Sequence, residues 1–254
     1  MPVVGPLLRA ALPIAGLALA GCARGGGPEA AAPAAAPATR LAIDTVGLPR
    51  IRFTSGSTSG ILDDSLGAGA ARSYVLGAEK DQVMLVHAIA WPVEERQHPP
   101  PEPSVHVFSV ASGAELPSPR AEPEVWSARL PETGDYVVRV TAEAPTSYTL
   151  SVQIPRRVTL APGDSAAIFT GSAPSRAPID YLVHADAGRT LEAVLGGAPT
   201  VGLHVYGLED GVQLARLADR KRLYAGRIER TQDYVVSVIP GAERAAFDLR
   251  ISIE

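Results

Sequence analysis

Residues 126–140, WSARLPETGDYVVRV, return later in the chain as residues 224–238, YAGRIERTQDYVVSV. Seven of the fifteen aligned positions are identical, among them a shared Asp-Tyr-Val-Val run. Each stretch is followed by a segment in which apolar and polar residues alternate, YTLSVQI at 148–154 and FDLRISI at 247–253. Alternation with a period of two is typical of a β-strand with one buried face. The sequence therefore predicts two copies of one all-β unit.

The duplication extends upstream of these segments. Residues 50–56 match 157–163, and residues 74–78 match 181–185. The spacing between matched segments falls from 107 to 98 residues, because the second copy lacks a counterpart of the proline-rich stretch 94–103. A repeat of about 100 residues has the size of a domain rather than of a solenoid unit. The predicted boundaries are 41–155 for the first repeat and 156–254 for the second.

Further strands are predicted where β-branched and aromatic residues lie between turn residues. No segment has a long helical period with caps. Several short strands at this spacing predict two tandem β-sandwich domains. Besides the two alternating segments, the predicted strands are 72–76, 83–89, 105–110 and 136–140 in the first repeat, and 180–183, 190–195, 201–206 and 234–238 in the second.

The first 21 residues have the features of a secretory signal peptide. Residues 10–20 form an apolar run that is too short to span a membrane. The run ends in Leu19, Ala20, Gly21 and Cys22. These four residues resemble the lipobox of bacterial lipoproteins, which implies cleavage before Cys22 and its acylation with palmitate-type chains. Because Ala23 rather than Asp follows, the resemblance also implies an outer-membrane location facing the periplasm.

Residues 22–40 are predicted to be the lipidated cysteine followed by a flexible linker. This stretch contains little except Ala, Gly and Pro and has few side chains to bury. The alternative is an alanine-rich helix, but Pro28, Pro33 and Pro37 argue against it. Fully extended, the linker would reach about 60 Å from the membrane.

Charge and cysteine content restrict the partners. The chain has a net charge of −4, which excludes the basic surface typical of nucleic-acid binding. Cys22 is the single cysteine, so an internal disulfide is excluded. Residues 50–155 carry 8 basic and 13 acidic side chains, whereas residues 156–254 carry 12 of each. An acidic first repeat would attract a cationic partner, although ordinary charge for solubility is an alternative explanation.

Catalytic and metal-binding motifs are absent from the sequence. The segment GSTSG at 56–60 has Thr in place of a nucleophilic serine, and the five histidines lack metal-ligand spacing. The adjacent carboxylates of Asp63 and Asp64 are a weak calcium signal. The recurring Asp135-Tyr136 and Asp233-Tyr234 pairs are interpreted as structural, with the Asp capping turn amides and the Tyr hydroxyl in water. We therefore expect no enzymatic activity, metal or cofactor.

A family resemblance emerges from the order of turns and strands at residues 53–56, 74–82 and 130–140. In this order, each repeat resembles the bacterial pre-peptidase C-terminal type of jelly-roll domain. It also resembles the related module of periplasmic inhibitors of goose-type lysozyme. The second repeat departs from that pattern, because Gln232 replaces Gly134 and Glu229 replaces Pro131. The resemblance implies a jelly-roll fold and, more specifically, lysozyme as a ligand.

The sequence thus favours an envelope-anchored, non-enzymatic module that binds a protein or a cell-wall glycan, with lysozyme inhibition as the sharper version. The alternative is an accessory or catalytic component of a cell-wall hydrolase or protease system. Loops at the ends of a rigid sandwich are the expected binding sites. The candidate loop residues are Gly56, Ser57, Thr58, Ser59 and Gly60 in one loop and Gln97 and His98 in the other.

Overall fold

The structure, a computed structural model, describes residues 43–91, 102–119, 122, 124–160, 164–216, 219 and 221–254. The predicted signal peptide, the lipobox with Cys22, the linker and the loop residues Gln97 and His98 lie outside these residues. Within them, no helix has the length and apolar character needed to cross a membrane.

The regular elements of the described chain are β-strands, which confirms the all-β prediction. They are β1 (Ser59–Leu66), β2 (Ala70–Ala78), β3 (Val83–Trp91), β4 (Ser104–Ser109), β5 (Glu115–Leu116), β6 (Val125–Arg129), β7 (Gly134–Ala142), β8 (Thr146–Gln153), β9 (Arg156–Arg157), β10 (Ala166–Ala173), β11 (Ile179–Ala185), β12 (Thr190–Gly197), β13 (Gly202–Gly207), β14 (Gln213–Ala215), β15 (Leu223–Arg227), β16 (Gln232–Ile239) and β17 (Ala245–Ile253).

Two antiparallel sheets form the first sandwich. One has the strand order β1-β8-β3-β6 and the other has the order β2-β7-β4-β5. Their inner faces enclose a core that includes Tyr74, Val86, Val138 and Leu150. Each of these residues is two positions from another inward residue of its strand, as the alternating sequence predicts.

The second sandwich repeats this plan. Its sheets have the orders β10-β17-β12-β15 and β14-β13-β16-β11-β9, and their inner faces enclose a separate core that includes Tyr181, Val236 and Leu249. The strand β9 pairs in parallel with β11, through Arg157 and Leu182. Its counterpart in the first sandwich is a single parallel bridge between Arg50 and Val75.

The two sandwiches pack against each other through the outer faces of one sheet each. Every residue of β8 is buried, including those that point away from the first core. Residues Val83 and Leu85 on β3 form one apolar cluster with Leu182, Tyr206, Leu208 and Val235 of the second sandwich. We call this contact the inter-sandwich interface.

Buried polar contacts complete the inter-sandwich interface. The His87 Nε2 atom lies 3.0 Å from the Oδ2 atom of Asp180, and both side chains are almost fully buried. The Gln153 amide donates to the carbonyl of Pro178 at 2.6 Å. Buried polar side chains need such partners, because they lose their water on folding.

The repeated tyrosines have a role different from the one that the sequence suggested. Tyr136 is fully buried, and its hydroxyl donates to the carbonyl of Glu132 at 2.5 Å. Tyr234 donates likewise to the carbonyl of Arg230 at 2.7 Å. The prediction of a water-exposed hydroxyl is therefore wrong in both repeats. Each tyrosine fixes the turn that precedes its strand, because the bond spans four residues.

Candidate functional site

An ion pair between Arg50 and Asp135 marks one end of the first sandwich. Asp135 is the second residue of β7, and Arg50 lies at the parallel bridge beside β2. The guanidinium donates to both carboxylate oxygens, at 2.5 Å to Oδ1 and 3.0 Å to Oδ2. This bidentate pairing holds the pKa of Asp135 below its usual value. Asp135 thus pairs with a residue 85 positions away, rather than capping its own turn.

Beside this ion pair lies an open cavity of about 590 Å³, which we call the Asp135 groove. Phe53 and Gly77 also line a neighbouring cavity of about 420 Å³. The lining of the Asp135 groove combines one aromatic ring with hydroxyl, amide and carboxylate groups. It includes Phe53, Ser57, Thr58, Glu79, Gln82 and Thr133.

The structure places the predicted loop residues in two different settings. Ser57 and Thr58 line the Asp135 groove, and Gly56 precedes them in a left-handed conformation with φ of 80°. Ser59 and Gly60 were expected in the same loop, but they begin strand β1. Gly60 is buried, and a Cβ atom there would lie 2.6 Å from the Ile51 side chain. The loop at this end is therefore shorter than the sequence predicted.

The corresponding place in the second sandwich is occupied by charged side chains. Asp233 matches Asp135 and accepts two bonds from Arg157, the counterpart of Arg50, at 2.8 and 2.7 Å. Its Oδ2 atom also accepts a bond from Arg129 of the first sandwich at 2.6 Å. His184 Nδ1 lies 3.1 Å from the Oδ1 atom.

These hydrogen-bond partners determine the pKa of Asp233. Hydrogen bonds from Arg157, and then from Arg129 and His184, lower the pKa of Asp233 to about 2. Nearby, burial and the charge of Asp233 raise the pKa of Glu209. The Asp233 side chain is only 4% exposed, whereas that of Asp135 is 38% exposed. Equivalent carboxylates are therefore closed off in one repeat and open in the other.

One sequence difference between the repeats lies directly beside these carboxylates. Gly77 in the first repeat matches His184 in the second. A Cβ atom at Gly77 would lie 3.0 Å from the Arg50 guanidinium and 3.3 Å from Asp135 Oδ1. The imidazole of His184 occupies that position in the second sandwich and bonds to Asp233. Gly77 lines the Asp135 groove without a side chain beside the carboxylate.

Residues with possible catalytic or metal-binding roles have structural partners in the described parts of the chain. Asp63 accepts a bond from the Thr149 hydroxyl at 2.6 Å, and Asp64 accepts one from Tyr74 at 2.7 Å. Among the described residues, no group of three or more His, Cys, Asp or Glu side chains is arranged to hold a metal ion.

Sequence reasoning missed most of the site. Gly77, Glu79 and Gln82 lie within the family-like segment 74–82, but the pattern was interpreted only as fold. Arg129 binds Asp233 across the inter-sandwich interface, a contact that the sequence does not indicate. The available signal was the recurrence of Arg50 and Asp135 as Arg157 and Asp233, since two oppositely charged residues recur together.

Comparisons with solved structures give matches of low sequence identity and low TM-score. No family model matches the chain, and no curated protein matches it. The periplasmic inhibitor of g-type lysozyme from Aeromonas hydrophila has 19% identity and a TM-score of 0.34, and the match covers 39% of this chain and 96% of that protein. The CUB1-EGF-CUB2 region of human MASP-1/3 has 7% identity and a TM-score of 0.26, covering 78% of this chain and 100% of that one. The CUB1-EGF-CUB2 domains of rat MASP-1 also have 7% identity, with a TM-score of 0.24 and coverage of 77% and 98%.

Proposed function

We propose that the protein is a non-enzymatic lipoprotein of the cell envelope that binds a protein or cell-wall ligand in the Asp135 groove. The observation that carries this proposal is the difference between the two repeats. The groove is open in the first sandwich beside Gly77, whereas His184 and Arg129 occupy the corresponding place in the second. The first repeat is then the binding unit, and the second repeat supports it through the inter-sandwich interface.

The lining of the groove suits recognition. Phe53 and Ile154 offer apolar contact, and Ser57, Thr133 and Gln82 offer hydrogen-bonding groups around them. Ligand sites commonly combine an apolar surface with a few polar groups that fix orientation. Short turns between strands hold these groups in place, so that little ordering is needed when a ligand binds.

The finer proposal is that the ligand is a goose-type lysozyme. Three sequence features support it: the resemblance of segment 74–82 to the inhibitor module, the lipobox at Cys22, and the acidic charge of the first repeat. Lipidation of Cys22 and an outer-membrane location facing the periplasm are parts of the same proposal. They would place the groove where a wall-degrading enzyme acts.

The test is calorimetric titration of the full chain, in detergent, with a goose-type lysozyme and separately with soluble peptidoglycan fragments. Micromolar or tighter binding of either ligand supports the binding role. The substitution Gly77→His introduces into the groove the side chain that the second repeat has at this position. It is expected to weaken ligand binding at least tenfold. Gly67→His is the matched control, because a Cβ atom at Gly67 meets nothing within 4 Å and Gly67 lies outside the groove.

Three outcomes separate the alternatives. Equal binding by the two histidine variants would show that the groove is not the site. Absence of lysozyme binding at millimolar concentration would overturn the finer proposal. Peptidoglycan release assayed in the same mixtures tests the remaining alternative, since faster rather than slower hydrolysis would indicate an accessory component of a hydrolase system.

A further inference from the structure

We infer that the group recognised in the Asp135 groove is an arginine side chain of a protein partner, held by Asp135 in the way that Asp233 holds Arg129. This inference rests on the proposed function and adds the chemistry of the ligand. Its basis is internal, because the second sandwich contains the same carboxylate and the same paired arginine with a further arginine already bound.

The two carboxylates share their strand position and their first arginine partner. Asp135 and Asp233 each follow the first residue of their strand, and each accepts two bonds from the matched arginine, Arg50 or Arg157. The backbone hydrogen bonds are equivalent as well. The amide of Val110 donates to the carbonyl of Asp135, and the amide of Leu208 donates to the carbonyl of Asp233. The position of a ligand on one carboxylate can therefore be transferred to the other.

Asp233 shows that a carboxylate already bound to one guanidinium accepts a second. Its Oδ2 atom receives Arg157 at 2.7 Å and Arg129 at 2.6 Å. In the first sandwich, the Oδ2 atom of Asp135 receives Arg50 at 3.0 Å and, among the described residues, no other bond. A carboxylate oxygen has two lone pairs, so one acceptor position on Asp135 is open.

The surroundings of Asp135 favour a guanidinium. Arg50 already neutralises Asp135, so a second cation needs a further negative charge nearby. In the second sandwich, Glu209 lies 4.0 Å from Arg129 and supplies that charge. In the first, Glu79 lines the same groove as Asp135. Phe53 also lines it and offers a ring on which the planar guanidinium can stack, which an ammonium does less well.

A second copy of this chain is a poor source of the arginine. The counterpart of Arg129 is Arg227, which is exposed, but the faces that would have to meet differ from the inter-sandwich interface. Ser151 and Ser237 are buried in the inter-sandwich interface. Their counterparts in the opposite repeats, Arg250 and Arg139, would lie at the same positions in an interface with a second copy. Burying two further arginines would carry a large desolvation cost. The arginine is therefore assigned to a different protein.

The test is a titration of the ¹⁵N-labelled full chain in detergent with N-acetyl-arginine amide, at constant ionic strength. N-acetyl-citrulline amide is the neutral control of the same shape. We expect millimolar binding of the arginine probe, with the largest amide shifts at Gly77, Gly134 and Asp135, and no shift with citrulline. Asp135→Asn should abolish the shifts, whereas Asp248→Asn, which changes an exposed aspartate of the second sandwich, should retain them.

Glu79→Gln provides a second variant that keeps Asp135 and the shape of the groove but removes the further negative charge, and it should weaken binding of the probe several-fold. Equal shifts with both probes, persistence of the shifts in Asp135→Asn, or no shift at about 100 mM probe would overturn the inference. Lysozyme binding without arginine binding would also overturn it while leaving the proposed function standing. Arginine binding without lysozyme binding would support it and move the search to other arginine-bearing proteins.

Discussion

Arg129 of the first sandwich donates to the Oδ2 atom of Asp233 in the second, at 2.6 Å, so that one ion pair joins the two repeats. Arg157 binds the same carboxylate from within the second repeat. The carboxylate is buried, whereas both arginines are partly exposed. A buried carboxylate with two guanidinium partners stabilises the folded state only while it is ionised.

The stability of the protein should therefore depend on pH through Asp233. Its pKa is about 2 in the folded state, below the unfolded value of about 3.9. Its contribution is therefore fully present above pH 4 and lost as the pH falls towards 2. Allowing for solvent around the arginines, we expect about 1 to 2 kcal/mol of unfolding free energy from this group.

Urea denaturation between pH 5 and pH 2 measures this effect. Asp233→Asn should lower the stability at pH 5 and flatten the pH dependence, whereas Asp248→Asn should follow the wild type. An unchanged slope in Asp233→Asn would show that other carboxylates account for acid sensitivity.

The buried contact between His87 and Asp180 should be strongly coupled. Their counterparts in the other repeat are Val194 and Ser73, which gives natural replacements for each. The single change Asp180→Ser leaves His87 without its buried hydrogen-bond partner and should cost about 2 kcal/mol. The double change His87→Val with Asp180→Ser should recover part of this loss. A double-mutant cycle in urea gives the coupling energy, and additive single effects would contradict the coupling.

The tyrosine hydroxyls should contribute to stability without contributing to binding. Tyr136→Phe and Tyr234→Phe each remove one hydrogen bond to a backbone carbonyl and keep the buried ring. Each change should lower the free energy of unfolding by about 1 kcal/mol. Thermal denaturation of the two single variants measures the loss, with lysozyme titration as the control. A loss of binding at unchanged stability would assign the hydroxyl to the site instead.

Arg139 and Arg250 should keep the protein from associating head to tail. Each stands where the inter-sandwich interface has a buried serine, and Arg250 also pairs with Glu192, the counterpart of the buried Leu85. A charged outer face blocks further stacking of a repeat. The combined change Arg139→Ser, Glu192→Leu and Arg250→Ser should produce concentration-dependent oligomers in sedimentation velocity, while wild type stays unassociated. A triple variant that sediments like wild type would show that other features prevent association.

Local sequence pattern was sufficient for most of the fold. The alternating segments 148–154 and 247–253 became β8 and β17, because period-two burial is a local property. The strands β1 and β10 were missed, since GILDDSL and AAIFTGSA mix glycine and polar residues into the pattern. Contacts between side chains far apart in the sequence were harder to predict. Nothing near Asp135 in the sequence indicates that Arg50 binds it, and nothing near Arg129 indicates Asp233.

The candidate site becomes apparent only when equivalent positions of the two repeats are compared in space. The sequence aligned Gly77 with His184, but the meaning of that difference depends on the carboxylate beside it. The loop prediction placed Ser57 and Thr58 correctly at the groove and extended two residues too far, into β1. The predicted anchor at Cys22 and the loop residues Gln97 and His98 stay predictions.

Arg50 also lies where the chain first pairs with a strand of the first sandwich, seven residues after the Ile43 amide donates to the carbonyl of Val110. Two backbone hydrogen bonds hold it there, from Val75 to Pro49 and from Ile51 to Val75, together with its bond to Asp135. Tension applied at the amino-terminal end would be borne by the Ile43 bond and then by this short attachment before it reached either core. A mechanical load would thus disturb the ion pair beside the Asp135 groove before it unfolded the sandwich, so that pulling on the chain would weaken ligand binding.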